Sequence, residues 1–418
     1  VTTVATVAIA VALLLTILSM RDAARTTLDR GAGNMHLVVS AERSGLVAVL
    51  NAVFHAGTPQ AALPWLDVQR LQRDPRVAYA LPIQQGDSYR GLPVTAVTPA
   101  FFGAFSPDPA YAPPVEGARE GGGAGRRWEL ADGRAIADRF EAVLGARAAR
   151  EAGLGVGDTI ELTCGLAGAG FVHAGFPYTV VGVLEPSGTP HDRVIFADLA
   201  SGWIVHAQDR LDSQRPGSGV RVTEADLTQA DRLVTGVYVR GVVREGRRAS
   251  AAVGELASEL RRNPTLTVAS PASEVARLFR IVGRVDQVLV AMAGAVLVAG
   301  GVSIMLALYA ATEQRRREIA TFRVLGATRG AIVRWVLAEA VALGALGVVA
   351  GVALSVGGGL VVSRALRAQV GLVVEPSVSP QAVGVIAIAS VALAALAGVA
   401  PAWMAYRTSV AVSLRPLG

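Results

Sequence analysis

Uncharged, mostly apolar residues fill four long stretches of the chain: Val1–Met20, Val288–Ala311, Ala340–Ser363 and Pro376–Tyr406. Each is at least 20 residues long, and about 20 helical residues cross the hydrocarbon core of a bilayer. The pattern predicts transmembrane helices at residues 1–20, 285–312, 331–363 and 381–406. The first stretch lacks the basic leader and the small-x-small cleavage site of a signal peptide, so it reads as a retained span. Gly294, Gly300 and Gly301 are no objection, because membrane helices carry glycine readily.

Residues 21–284 have a different texture. Short β-branched runs at Met35–Ser40, Tyr178–Leu184 and Gly236–Val243 predict strands. Arg139–Leu154 and Ala251–Asn263 show helical periodicity, the second stopping at Arg-Arg-Asn before Pro264. Glu116–Arg127 reads as a flexible glycine-rich loop. The fold class is therefore a multi-pass α-helical membrane protein of four spans, with a large mixed α/β extracytoplasmic domain between the first and second. A cytosolic connector at 313–330, an extracytoplasmic loop at 364–380 and a cytosolic tail at 407–418 complete the chain.

Composition sharpens this picture. Hydrophobic residues make up 52% of the chain and mean hydropathy is +0.45, too apolar for an ordinary soluble protein. All 39 basic residues are arginine. A chain without lysine can build neither a Walker A loop nor a Schiff base, so "GLGVGDTIEL" (Gly153–Leu162) reads as a turn entering a strand rather than a phosphate cradle. The first residue is Val, which predicts either a start further upstream or a GTG start read literally.

The arginines also orient the spans. Arg315, Arg316, Arg317, Arg323, Arg329 and Arg334 lie between spans two and three, against Arg364 and Arg367 between spans three and four. Arg407 and Arg415 lie in the tail. The positive-inside rule puts the six-arginine connector and both termini in the cytosol, and residues 21–284 outside. That outer segment has 29 Arg against 28 Asp plus Glu, a net of +1, whereas the remainder has 10 against 5, a net of +5. The basic excess belongs to the membrane flanks, and nucleic acid is not expected as a partner.

Catalytic motifs are absent. His36, His55, His173, His191 and His206 have no metal-site spacing on one element and read as ordinary polar surface residues. The single cysteine, Cys164, excludes an intramolecular disulfide and is read as excluding a Cys-based zinc site, so no metal and no cofactor are expected. Gly347 and Gly351 form a small-xxx-small pair suited to close helix packing. Glu339, a turn inside span three, reads as an interfacial acid.

The connector holds the most information. Glu313 precedes Arg316 and Arg317 at ion-pair spacing, with Glu318 and Arg323 further along. Ile319, Phe322 and Leu325 recur every three residues on one side, Gly326 can end the helix, and Thr328 can cap the next after Ala327. A short amphipathic helix just below the bilayer can rest on anionic lipid or fill a groove on a cytosolic protein.

"EQRRREIATFRVLGATRGAIVRWVLAEAVALGALGVVAG" resembles the signature of the FtsX-like permease family, the membrane subunits of MacB/LolCDE-type ABC transporters. "GVAPAWMAYR" (Gly398–Arg407) resembles the family's close of its last span, and Val143–Asp192 resembles the MacB-like periplasmic core domain. Two departures exist: the Pro and Glu usual after the last span are Val410 and Val412 here, and an amphipathic helix before span one is absent. The resemblance implies a permease of the bacterial cytoplasmic membrane that is not itself an enzyme. It implies that Glu313–Ala327 is a coupling helix seated in a separate ABC ATPase subunit, which binds the ATP. It further implies a second permease chain, alike or paralogous, with a membrane-fusion or lipoprotein-carrier protein as an optional partner. Motion would pass to the outer domain to export or extract an amphiphile such as a lipoprotein, lipid, peptide or drug. A non-transporting regulator of cell-wall hydrolases, like FtsX itself, is the alternative, and a membrane-anchored sensor with no ATPase is a third.

The topology is testable by labelling. An impermeant thiol reagent applied to intact cells should reach a cysteine placed at Gly123 and not one placed at Thr328. The reverse pattern would invert the orientation.

Overall fold

The computed structural model describes residues 2–111, 127–165, 170–215, 219–242, 251–369 and 379–407. The expected glycine-rich loop at 116–126, most of the loop at 364–380 and the tail beyond Arg407 lie outside these residues. The chain divides into two compact units, Val1–Arg25 with Arg280–Gly418, and Thr26–Phe279.

The helices in chain order are α1 (Thr2–Gly31), α2 (Gly45–Phe54), α3 (Trp65–Arg73), α4 (Phe101–Ala104), α5 (Ala146–Ala152) and α6 (Leu199–Gln214). There follow α7 (Ala251–Leu260), α8 (Pro271–Gln314), α9 (Arg316–Val324), α10 (Arg329–Gln369) and α11 (Pro380–Arg407). Among the described residues four segments are long and apolar enough to span a membrane: Thr2–Ala23, Gln287–Gln314, Arg329–Val361 and Pro380–Arg407. They pack around Val7, Val11, Leu15, Ile304, Leu308, Ala340, Ile386 and Ala394. Their other faces leave Met292, Leu306, Val349, Val385, Ile388 and Leu396 exposed. Helices apolar on all sides suit burial in lipid rather than water.

In the outer unit the strands begin with β1 (Leu37–Ser40), β2 (Leu63–Pro64), β3 (Val77–Tyr89), β4 (Leu92–Val97), β5 (Leu130–Gly133) and β6 (Glu141–Leu144). They continue with β7 (Thr159–Ile160), β8 (Thr163–Cys164), β9 (Tyr178–Leu184), β10 (Ile195–Asp198), β11 (Leu233–Val234), β12 (Gly236–Gly241) and β13 (Thr267–Ala269). One mixed sheet runs in the order β13-β1-β12-β3-β4-β10-β6-β9-β5, with β7 on β9 and β8 on β3. The pairs β10/β4 and β6/β9 are parallel.

Alternation along the strands divides the apolar residues between two cores. Leu37, Val39, Ala142, Leu144, Ile195, Ala197, Val237 and Val239 enter one, together with Val68 of α3, Ala148 of α5, Ile204 of α6 and Leu256 of α7. Val38, Val143, Phe196 and Tyr238 enter the other, together with Val49 and Val53 of α2 and with Phe101 and Phe105. A period of two sends successive side chains to opposite faces, so a sheet covered by helices on both sides needs apolar residues at nearly every position.

That requirement overturns one expectation. Arg139–Leu154 is not a helix: Glu141–Leu144 is the inner strand β6, and only Ala146–Ala152 is helical. Gly145 marks the change, since a Cβ there would lie 2.5 Å from the carbonyl oxygens of His191 and Asp192. Burial of Val143 on one face and of Ala142 and Leu144 on the other outweighs the local helical period. The expected strands at Met35–Ser40, Tyr178–Leu184 and Gly236–Val243 correspond to β1, β9 and β12, and Ala251–Asn263 to α7. Gly153–Leu162 does turn into a short strand, β7.

The histidines are corrected as well. His173 and His191 are buried rather than on the surface. The Gln85 amide reaches His55 Nδ1 at 2.7 Å, His55 Nε2 lies 3.3 Å from His191 Nδ1, and His191 Nε2 donates to the Gly31 carbonyl at 3.1 Å. With His191 Nε2 committed as a donor, His191 Nδ1 accepts from His55, and each neutral ring places its one proton. A further proton would set two N–H groups against each other. Burial pushes His191 down to about 4, and burial with repulsion from His191 pushes His55 down too.

A consequence for pH follows. Below the ordinary value of 6.5 the unfolded chain takes up protons that the folded core refuses, so stability is lost as pH falls from 6.5 toward 4. The shift of His191 corresponds to about 3 kcal/mol over that window. Thermal melting of the full-length protein in detergent, followed by tryptophan fluorescence, should show the midpoint falling with pH. His191→Asn should flatten that slope, and a wild-type midpoint constant from pH 7 to 4 would contradict it.

Candidate functional site: the arginine-rich connector

α8 ends at Gln314 and α9 begins two residues later, at Arg316. Arg315 N–H still bonds the Ala311 carbonyl at 3.0 Å, and Ile319 N–H bonds that of Arg315 at 3.0 Å, so little hydrogen bonding is lost at the bend. Arg316 pairs with Glu313 across it at 2.9 Å. α9 closes at Leu325, where Gly326 N–H bonds the Arg323 carbonyl at 3.2 Å and Ala327 N–H that of Phe322 at 3.0 Å. Gly326 sits at φ 102°, a conformation that costs glycine little and a side chain much. Thr328 then accepts a hydrogen bond from Ala331 N–H at 3.2 Å and caps α10.

α9 is held down on one side only. Ile319 and Ala320 are buried, and Ile319 packs with Ile332 and Val336 of α10 and Ala402 and Ala405 of α11. Phe322 is 46% exposed, Val324 64% and Leu325 78%. Phe322 meets the edge of Trp335, itself 55% exposed, at a ring distance of 6.0 Å. Trp403 stacks on Tyr406, and Arg407 and Arg329 lie over these rings at 5.5 and 5.2 Å. Tryptophan, tyrosine and arginine gathered at one end of a helix bundle are the composition of a membrane–water interface.

The residues singled out from the sequence therefore separate. Glu313 belongs to the end of α8, while Arg316, Arg317, Glu318, Ile319, Phe322 and Arg323 lie in α9. Leu325, Gly326 and Ala327 form the turn beyond it. The single apolar side drawn through Ile319, Phe322 and Leu325 is corrected, because Ile319 faces the bundle while Leu325 faces away. Leu325 stands at the C-cap, where the helical period no longer applies. Val324 was missed, although its place before an exposed Leu-Gly turn could have flagged it.

Gly347 and Gly351 do not meet the connector; they face α1. A Cβ on Gly347 would lie 2.6 Å from Val7 Cγ1, and one on Gly351 would lie 2.6 Å from Val11 Cβ and 2.8 Å from the Ala8 carbonyl. Val7 and Val11 of α1 thus pack directly against the glycine positions of α10 over two successive turns. One turn further along, Thr16 Oγ1 and Ser355 Oγ share a hydrogen bond of 3.3 Å.

Comparison with known proteins gives two family matches. The model for the MacB-like periplasmic core domain matches residues 1–259, and that for the FtsX-like permease C-terminal region matches residues 290–410. Among solved structures, the extracellular domain of the noncanonic ABC-type transporter YknZ from Gram-positive bacteria is 11% identical with a TM-score of 0.28. That match covers 56% of this chain and 98% of the other. No curated protein sequence matches the chain.

The glycine contact can be tested within one helix. Gly351→Leu should destabilise the detergent-solubilised protein by about 1–3 kcal/mol, the usual cost of overpacking. Gly357→Leu, where a Cβ meets nothing within 4 Å, should leave the melting midpoint near wild type. Equal effects of the two substitutions would show that the close approach carries no weight.

Proposed function

Because the chain belongs to the MacB-like and FtsX-like family of ABC-transporter-type permeases, we propose that it passes ATP-driven motion from a separate ATPase subunit to its extracytoplasmic domain. The cargo class is an amphiphile, such as a lipoprotein, lipid, peptide or drug, exported or extracted from the outer leaflet. ATP is bound and hydrolysed by the partner, because a chain without lysine has no P-loop of its own. A second permease chain completes the assembly. Both termini and α9 face the cytosol of a bacterial cell.

The outward face of α9 is the observation that carries this reading. Ile319 fixes the helix to α10 and α11, so displacement of α9 is displacement of the helices beneath it. Phe322, Val324 and Leu325 are left exposed beside Arg316, Arg317 and Arg323. Apolar anchors ringed by charge suit a protein cleft, where an aromatic side chain fills a pocket and the rim sets register. A helix lying on lipid needs charge number more than charge position.

The two settings for α9, a protein cleft and a lipid surface, predict different responses to mutation. Phe322→Ala should weaken ATPase binding by about 2 kcal/mol or more, roughly 30-fold. Arg323→Glu should abolish co-purification by placing a repelling charge in the interface. Both variants should insert in the membrane normally and lose substrate-stimulated ATP turnover. Wild-type co-purification and turnover in both would identify α9 as a membrane-surface helix.

A further inference from the structure

In the outer unit five chemically active side chains converge from distant parts of the chain. Asp87 of β3 and Cys164 of β8 stand directly opposite each other in an antiparallel pair, so their side chains leave the same face. Cys164 N–H bonds the Phe171 carbonyl at 3.0 Å and His173 N–H bonds that of Leu162 at 2.9 Å, which returns His173 to the same place. His206 and Asp209, three residues apart on α6, complete the cluster.

The distances bring these donor atoms close to one another. His173 Nε2 lies 3.3 Å from Asp87 Oδ1, and His206 Nε2 lies 3.2 Å from Asp87 Oδ2. Donor atoms of Asp87, Cys164 and His173 all lie within 4.8 Å of one another. Bonds of about 2.0–2.1 Å at tetrahedral angles separate ligand atoms by about 3.3 Å, the spacing Asp87 and His173 already have.

The cluster is also incomplete as it stands. His173, only 1% exposed at its side chain, has a carboxylate against each ring nitrogen: Asp87 at Nε2, and Asp209 Oδ2 at 2.8 Å from Nδ1. The contact with Asp209 is out of line for a hydrogen bond, and both His173 Nδ1 and Asp209 Oδ2 are buried without a hydrogen-bond partner. A neutral imidazole has one N–H, so one nitrogen faces a carboxylate lone pair to lone pair unless a second proton or a metal ion joins the ring. Among the described residues neither Asp87 nor Asp209 pairs with an arginine. Burial works against the Asp87 charge, yet contacts with two histidines hold its carboxyl below the usual carboxylate range.

We propose that Asp87, Cys164 and His173 bind a single zinc ion, with His206 holding Asp87 and Asp209 holding His173 from behind. One thiolate, one imidazole and one carboxylate form a borderline-soft set that suits tetrahedral zinc and leaves the fourth position for solvent. Asp87 has the outer partner that zinc ligands commonly have in His206, and Asp209 Oδ2 lies 2.8 Å from the far nitrogen of His173. The thiol proton leaves as the sulfur–zinc bond forms, so binding releases one proton to solvent. The lone cysteine that the sequence reading set aside thus becomes one donor of three. The bound ion would staple β3, β8 and the segment at 171–173 together.

The test uses full-length protein in detergent, stripped with a chelator and kept reduced. Cobalt(II) should bind at one equivalent with a thiolate-to-cobalt charge-transfer band, and one equivalent of zinc should bleach it. Cys164→Ser, a near-isosteric change at a half-buried position, should remove the band while melting like metal-free wild type. His206→Gln should keep the band and weaken affinity about 10–100-fold, as loss of an outer partner does. Zinc at 100 times its dissociation constant should raise the wild-type melting midpoint by ~5 °C and leave Cys164→Ser unmoved. Failure of wild type to bind cobalt at one equivalent, or a band and zinc affinity unchanged in Cys164→Ser, would overturn the site.

Discussion

In hydrocarbon a backbone amide has no partner except another backbone amide, and this constraint sorts the whole chain. It confines the spanning segments to uninterrupted helices, α1, α8, α10 and α11 within the bounds their hydropathy allows. Among the described residues the turns and strands lie outside these spans, in the connector and the outer unit. There, turns, caps and strands can find water or one another, and there the polar chemistry gathers.

The outer unit solves a different problem. A sheet covered on both faces must give apolar residues to two cores at once, and the alternation of β1, β6, β10 and β12 does so. Polar residues in such a body are expensive unless they satisfy each other. The chain from Gln85 through His55 and His191 to Gly31 is closed in this sense, each ring proton having an acceptor. The cluster around His173 is different, with buried Nδ1 and Asp209 Oδ2 left without a hydrogen-bond partner. Two histidine groups in one domain thus differ in kind: one completes the core, and the other gathers donor atoms that do not all satisfy one another.

What the sequence made legible depends on how local each cause is. The spans, the Gly326 turn and the Thr328 cap are set by neighbours within a few residues. Tyr178–Leu184 is read as a strand with the ends it has in the structure, because no helical period competes there. Glu141–Leu144 is misread because its fate is fixed by β10 and β9 on either side, far away in the chain. The division of Ile319 from Leu325 depends on where α10 and α11 lie. Asp87, Cys164 and His173 share no spacing rule at all, since strand pairing and a returning loop bring them together.

The contact of Gly347 and Gly351 with Val7 and Val11 has a mechanical meaning. Most packed helices are separated by a layer of side chains that can change rotamer, and that layer is where one helix slides past another. Here Val7 and Val11 of α1 fit against glycines of α10 with no second side chain between, and β-branched valines, stiff at χ1, give a sliding helix little to yield. The two helices behave as a keyed shaft, which shares any thrust or twist applied to either without slack.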